Sequence, residues 1–342
     1  MKFDYCIGNV PYQETRVTTK DIPLYHDFMN AAYTISDKVE LITPGRFLFN
    51  AGATPKDWNE RMLNDEHFKV LSYTSNSKDI FPNTDIKGGI AIHYRDATKR
   101  FGKTNTFTMY PELNSIQNKV VTNKPFVGLD TIIYSESAWR IAGIFAMEMP
   151  EEAAKLKKSA SRFFATNVFD ILSSNVFFNE IPKDGEQYIG LYGRSHGERV
   201  IKYVKAKYVN APDNLNGYKV FVPKSNGCGT VGEPLSTPVI GAPVIGATQT
   251  FISIGNFSKA QDAENCLKYI KTKFARVMLG ILKITQHNKK DTWRYVPLQD
   301  FTHYSDIDWS RSIHDIDWQL YKKYELSEEE IQFIETHVKE MT

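Results

Sequence analysis

Up to residue 105 the chain alternates short apolar runs with amphipathic stretches. Phe3 to Ile7 reads as a short buried strand ending in a Gly-Asn turn. From Asp21 onward, Tyr25, Phe28, Met29, Ala32 and Tyr33 fall on one helical face. Val39 to Ile42 reads as a strand stopped by Thr43-Pro44-Gly45. Thr54 as cap, Pro55 in the first turn and Asp57 three residues after the cap start a helix that runs to about Leu63. Phe68 to Thr74 and Gly88 to Tyr94 read as two further strands. Strands alternating with helices imply a largely parallel α/β sheet.

The pattern changes beyond residue 100. Arg100 to Lys124 is polar and mixed, and reads as a linker or an edge hairpin; the expected division is 1–105, a linker over 106–124, and 125–342. The last region holds strand-like runs at Gly217–Val222 and Thr250–Ile254 around a Gly/Pro-rich stretch, Asn226–Gly246. Ser258 with Gln261 forms a capping box. It opens a long helix with an apolar stripe at Ala263, Leu267, Ile270, Phe274, Val277, Met278 and Ile281. Ser327 with Glu330 caps a final helix carrying Ile331, Ile334 and Val338. The region is expected to be mixed α/β.

Composition narrows the classes. The 342 residues are 42% hydrophobic and 24% charged, a globular balance, and suggest two domains. With 42 basic and 40 acidic residues the net charge is +2, so binding to nucleic acid has to rest on local clusters. One cluster lies on the expected long helix: Lys268, Lys271, Lys273, Arg276 and, beyond it, Lys283. It is either a solvated face or a phosphate-tracking surface. Cys6, Cys228 and Cys266 are far apart and lack C-x-x-C spacing, which speaks against a disulfide framework or a zinc site and fits a reducing cytoplasm. The start, MKFDYCIGN, is too short and polar for a signal peptide. No apolar run reaches the ~18 residues of a membrane span.

The candidate chemistry sits at the end of the first strand, in Asn9-Val10-Pro11-Tyr12. The carboxyl ends of strands in open α/β sheets are where ligands bind. The stretch Phe3 to Gln13 resembles the NPPY loop of restriction–modification DNA adenine methyltransferases. Further segments in family order support the resemblance: Leu24-Tyr25-x-x-Phe28, Leu41-Ile42-Thr43-Pro44-Gly45, the helix ending Arg61-Met62-Leu63, and Phe81-Pro82 through Ile86-Lys87-Gly88-Gly89. Tyr295-Val296-Pro297-Leu298 and Ser305-Asp306-Ile307-Asp308-Trp309 are similar to the family's tail.

The resemblance implies a fold, a reaction and a partner. The fold would be a partial Rossmann-like methyltransferase sheet, the carboxy-terminal half, followed by a mixed α/β DNA target-recognition domain. The reaction would transfer a methyl group from S-adenosylmethionine to the exocyclic amino group of adenine in double-stranded DNA. The Asn9 side chain and the Val10 carbonyl would accept the two amino hydrogens, localising the nitrogen lone pair, and Tyr12 would stack on a flipped base. No metal is needed. Val10 stands where the family has its first proline; the carbonyl survives, but the fixed φ is lost, so a looser loop is expected. The family's cofactor site precedes this loop, so an amino-terminal methyltransferase half, or another restriction–modification subunit, is the expected partner. Lys87, Arg194, Lys271, Lys273 and Arg276 are the expected DNA contacts.

Gly227-x-Gly229-x-x-Gly232 matches a dinucleotide fingerprint, but Pro234 and Pro238 follow where a helix must start, so a loop is the better reading. His196 has no recognisable partner in the sequence, and no nuclease constellation is visible. The alternatives to a methyltransferase component are a non-catalytic DNA-recognition module and a restriction endonuclease subunit.

Overall fold

The computed structural model describes residues 3–14, 22–50, 52–84, 86, 88–123, 125–156, 162–283 and 285–341. The chain divides into two compact units, Met1–Asn118 and Lys119–Thr342.

The first unit contains β1 (Cys6–Asn9), β2 (Gln13–Glu14), β3 (Ile22–Pro23), α1 (Tyr25–Ile35), β4 (Lys38–Pro44), α2 (Lys56–Leu63), β5 (Phe68–Thr74) and β6 (Ile90–Asp96). Its main sheet has the order β1-β4-β6-β5. β1 and β4 are parallel, but β6 runs antiparallel to both β4 and β5. The expectation of a largely parallel sheet is therefore corrected. β1, β4 and β5 share one direction, and β6 slots between β4 and β5 in reverse. The reason lies in the connections. A parallel neighbour needs a crossover, usually a helix, and among the described residues the stretch between β5 and β6 carries only a short 3-10 turn at Ser77–Asp79, so the chain returns antiparallel.

Tyr25, Met29 and Ala32 of α1 are buried with Trp58 and Met62 of α2, Phe47, Leu41 and Phe68 in one core. Phe28, placed on the same face by its spacing, is 42% exposed. Residues 106–124, expected to be a linker, contain α3 (Pro111–Thr122). Leu113, Ile116 and Val120 of α3 are buried, a helical spacing that the polar residues between them conceal.

The second unit is mixed α/β. It contains β7 (Ile133–Tyr134), β8 (Arg140–Ile141), α4 (Gly143–Glu148), α5 (Pro150–Lys155), α6 (Val168–Ile171), β9 (Tyr188–Ser195), β10 (Glu198–Lys205), β11 (Val209–Asn210), β12 (Tyr218–Pro223), β13 (Val239–Gly241), β14 (Ile245–Ala247) and β15 (Phe251–Phe257). β10-β9-β14 and β13-β12-β15-β7 form its two larger sheets. Tyr192 of β9 stacks on Phe251 of β15 at 4.6 Å, within a core that includes Trp139, Phe169, Leu191 and Phe221.

Helices close this unit: α7 (Ala260–Lys271), α8 (Lys273–Leu279), α9 (Ile313–Lys323) and α10 (Glu328–His337). The single long helix expected from Ser258 onward is broken at Thr272. Thr272 is extended, its hydroxyl accepts from Ala275 N–H, and Asp317 accepts from the N–H groups of Lys273 and Phe274. Three acceptors thus satisfy a second helix start that an apolar stripe alone cannot reveal. Lys259, not Ser258, is the residue before α7, and it makes no side-chain cap. The Ser327–Glu330 capping box forms as expected.

Candidate functional site

β1 ends at Asn9, which lies level with Ile42 of its parallel neighbour. The chain then turns through Val10 and Pro11. The Val10 side chain packs against the core of the first unit, so the loop has an apolar anchor where the family has its first proline. The Tyr12 carbonyl accepts from Leu24 N–H at 3.0 Å, and β2 pairs with β3 just beyond. The turn is thus held on both sides, by β1–β4 and by the β2–β3 pair.

Asn9 is exposed and Tyr12 half-buried. Tyr12 Oη is buried without a hydrogen bond of good geometry. The Asn9 side chain nevertheless lies close enough to act on the phenol. Burial raises the Tyr12 pKa and Asn9 partly offsets it. The two side chains are close neighbours without a formed hydrogen bond. Among the described residues no aromatic ring pairs with Tyr12. The turn therefore offers a side-chain amide, a backbone carbonyl and an aromatic face at the carboxyl end of a strand.

Two other segments that resemble the family meet each other. Gly45 N–H donates to Gly89 carbonyl at 2.9 Å, so the turn after β4 is tied to the turn before β6. Gly88 and Gly89 have φ of 88° and 70°. A Cβ on Gly89 would meet the Tyr73 ring at 2.9 Å, and one on Gly88 would overlap Arg46. Both the conformation and the close approach require glycine here. Lys87, between these turns in sequence and an expected DNA contact, lies outside the described residues.

The expected phosphate-contacting face on α7 and α8 is corrected. Arg276 is 1% exposed. Its guanidinium donates to the carbonyls of Gly232 at 2.8 Å and Lys271 at 3.0 Å, and also to that of Lys339. Lys273 pairs with Glu335, and Lys268 donates to the Trp309 carbonyl at 2.8 Å. Lys283 is buried and pairs with Glu233. Lys271 is half-buried and itself engaged within the chain. These helices are covered on several sides, so their cations serve internal acceptors instead of solvent.

The glycine loop behaves likewise. Cys228 N–H donates to the Glu233 carboxylate at 2.9 Å, and Gly229 N–H at 3.2 Å. The loop amides are engaged by the protein's own Glu233 carboxylate, and among the described residues a strand rather than a helix follows, so this loop is not the glycine turn of a nucleotide-type cofactor site. No other glycine-rich loop opening a helix occurs among the described residues.

Arg194 is exposed on β9, beside a turn formed by His196 and Gly197 at φ of 48° and 87°. Such left-handed pairs make the tight hairpin turn that fixes register. It sets Arg194 directly opposite Arg199 of β10. Arg199 and Lys224 were missed by the sequence reading, although the turn signal and symmetric arginines of Arg194-Ser195-His196-Gly197-Glu198-Arg199 could have revealed the first. His196 does have a neighbour, Asp170, with its imidazole 3.8 Å away. The Ser195 hydroxyl, however, donates to Asp170 at 2.8 Å instead of to the imidazole, so no nucleophile–base pair is assembled.

Comparison with known proteins bears on the first unit. The profile of the family described as Eco57I restriction-modification methylase matches residues 1–81. A Mycoplasma pneumoniae protein described as an uncharacterized adenine-specific methylase is 30% identical over 95 residues, covering 26% of this chain and 22% of that protein. The matched stretch is thus less than a quarter of that relative's length. Among solved structures, the type IIG restriction endonuclease BpuSI aligns over 93% of this chain and 50% of its own, at 8% identity and a TM-score of 0.34, too low to carry an argument. The restriction–modification methylase resemblance read from the first unit is borne out by the profile and the curated relative.

Proposed function

We propose, for a chain whose residues 1–81 match the Eco57I restriction-modification methylase model, that it is a component of a site-specific DNA adenine methyltransferase. The observation that carries the reading is the pairing of Asn9 and Tyr12 on one tight turn at the carboxyl end of β1. In this reading the Asn9 amide oxygen and the Val10 carbonyl accept the two hydrogens of an adenine amino group. Its lone pair is then free to attack a methyl carbon. Tyr12 stacks on the base after it leaves the duplex. The second unit would supply target recognition.

The methyl donor, S-adenosylmethionine, is to be held outside the described residues of this chain. A surface for the partner that holds it is available. β1 is an edge strand, paired only with β4 among the described residues. Ile7 on it is 73% exposed, and Phe3 and Tyr5 just before it are 52% and 59% exposed. An open edge lined by apolar side chains invites a further strand.

The test is complementation. The chain is mixed with a separately expressed cofactor-binding methyltransferase half, and methyl incorporation into DNA is measured. Asn9→Ala is expected to lower the rate on the order of 10²-fold or more, if a lost acceptor weighs like a lost oxyanion donor, with DNA affinity unchanged. Equal rates for variant and wild type overturn the assignment. They would favour a non-catalytic DNA-recognition module, the reading that Val10, in place of the family's proline, supports.

A further inference from the structure

We propose that the cleft beside the β9–β10 hairpin binds a phosphate group, and that this phosphate belongs to the backbone of double-stranded DNA; the second clause rests on the methyltransferase reading above. The cleft has a volume of about 290 Å³ and is lined by Arg194, Arg199, Lys224, Thr166, Ser225 and Thr250, over the ring of Phe251. That size sits just below the usual range for ligand pockets, about 300–1,000 Å³. Three cations converge on it and no carboxylate lines it.

The arrangement is unfavourable without an anion. Arg194 and Arg199 are directly opposed across the two strands. Like charges so placed repel. Nothing on the protein side relieves this at Arg194. The side-chain ends of Arg194 and Lys224 have no partner among the described residues. Arg199, in contrast, is already held in place. Its guanidinium donates to the carbonyls of Thr237 at 2.7 Å and Ser236 at 3.1 Å, and lies 5.6 Å from the Phe251 ring. One cation is therefore preorganised and two are free to close on a ligand. Planar guanidinium donors, an ammonium and nearby hydroxyls suit the several acceptor oxygens of a phosphate.

The test uses the full chain, a short random-sequence duplex and inorganic phosphate as probes. Arg194 is exposed and outside both cores, so Arg194→Gln should fold; Lys322→Gln, outside the cleft, is the control. Duplex affinity is measured over a range of salt, and phosphate binding by calorimetry. Losing one phosphate contact should flatten the plot of log affinity against log salt by about 0.9 for Arg194→Gln and not for Lys322→Gln. Phosphate binding should fall in parallel. A weakened phosphate interaction with an unchanged duplex slope overturns the DNA assignment and points to a free phosphate-bearing ligand. No change in either measurement overturns the cleft. Methyl transfer in the complemented system is scored separately: its absence alongside a flattened slope counts against the catalytic reading and not against this site.

Discussion

Along α7 and α8, Lys268, Lys273 and Arg276 donate to the Trp309 carbonyl, the Glu335 carboxylate and the Gly232 carbonyl, whereas the side-chain ends of Arg194 and Lys224 beside the β9–β10 hairpin have no such acceptor among the described residues. Both groups are basic clusters in the same unit, and the denser run in sequence is the helical one. Density is a poor guide because a helix covered on several sides presents its cations to other backbone. The carbonyls left over at helix ends and loops need donors, and long cationic side chains reach them. At the surface hairpin, whose register places two arginines side by side, Arg199 reaches such acceptors in Ser236 and Thr237, whereas Arg194 opposite it does not. The pattern of partners, not the count of charges, separates a structural cation from one available to a ligand.

The sharpest way to break this comparison is to remove Arg276. Arg276→Met keeps the length of the side chain but strands the carbonyls of Gly232, Lys271 and Lys339. We expect a loss of about 3 kcal/mol or more in urea unfolding, because each buried acceptor left unsatisfied costs about 1–3 kcal/mol. Arg194→Gln should stay within about 0.5 kcal/mol of wild type, as surface changes do. Comparable effects for the two would mean that the helical and hairpin cations do not differ in role.

Glu233 gives a smaller effect that carries a pH signature. Its carboxylate receives the Lys283 ammonium and the N–H groups of Cys228 and Gly229. Burial alone would raise its pKa, but these donors outweigh it and hold the carboxyl below its ordinary value. A depressed folded pKa means that its contribution is present above the unfolded value, about 4.3, and is lost as pH falls through the folded one. Glu233→Gln keeps an acceptor oxygen but not the charge. It should cost about 1.5–3 kcal/mol at neutral pH, the worth of hydrogen bonds to a charged group. The gap from wild type should narrow in acid; a constant gap from neutral pH to strong acid would show that the charge on Glu233 is not what holds the loop.

How much of this was legible follows from the same logic. β5 and α2 were placed from local pattern, because Phe68–Thr74 and the helix ending at Leu63 have clear periodicity and clear stops. Asn9, Pro11 and Tyr12 stood out because strand, turn and chemistry occupy consecutive residues. The reversal of β6 was not legible, since a strand's apolar pattern is the same in both directions. The break at Thr272 depended on Asp317, far along the chain, and the fate of Arg276 depended on Gly232 and Lys339. Long-range acceptors leave no mark near the residue they engage. The Arg194–Arg199 pair is the intermediate case: its turn was readable locally, but Lys224 joins it only through the fold.

The smallest effect expected is also the most discriminating for the hairpin. If Arg194 and Arg199 repel across β9 and β10 in the free protein, replacing Arg194 by Thr should stabilise it. Threonine suits a strand, and the substitution removes one of two opposed charges. The gain should be a few tenths of a kcal/mol, up to about 1 kcal/mol, in low salt. Because the pair is solvent-accessible, the gain should shrink as salt rises and the screening length falls below about 8 Å. Saturating phosphate should remove it by a different route, since an anion in the cleft stabilises wild type and not the variant. Salt and phosphate can be separated by matching ionic strength with chloride. A wild type that gains no more from phosphate than from chloride would leave the opposed arginines as an uncompensated feature of the fold. A phosphate-specific gain lost in Arg194→Thr would tie that opposition to the anion the cleft is built to hold.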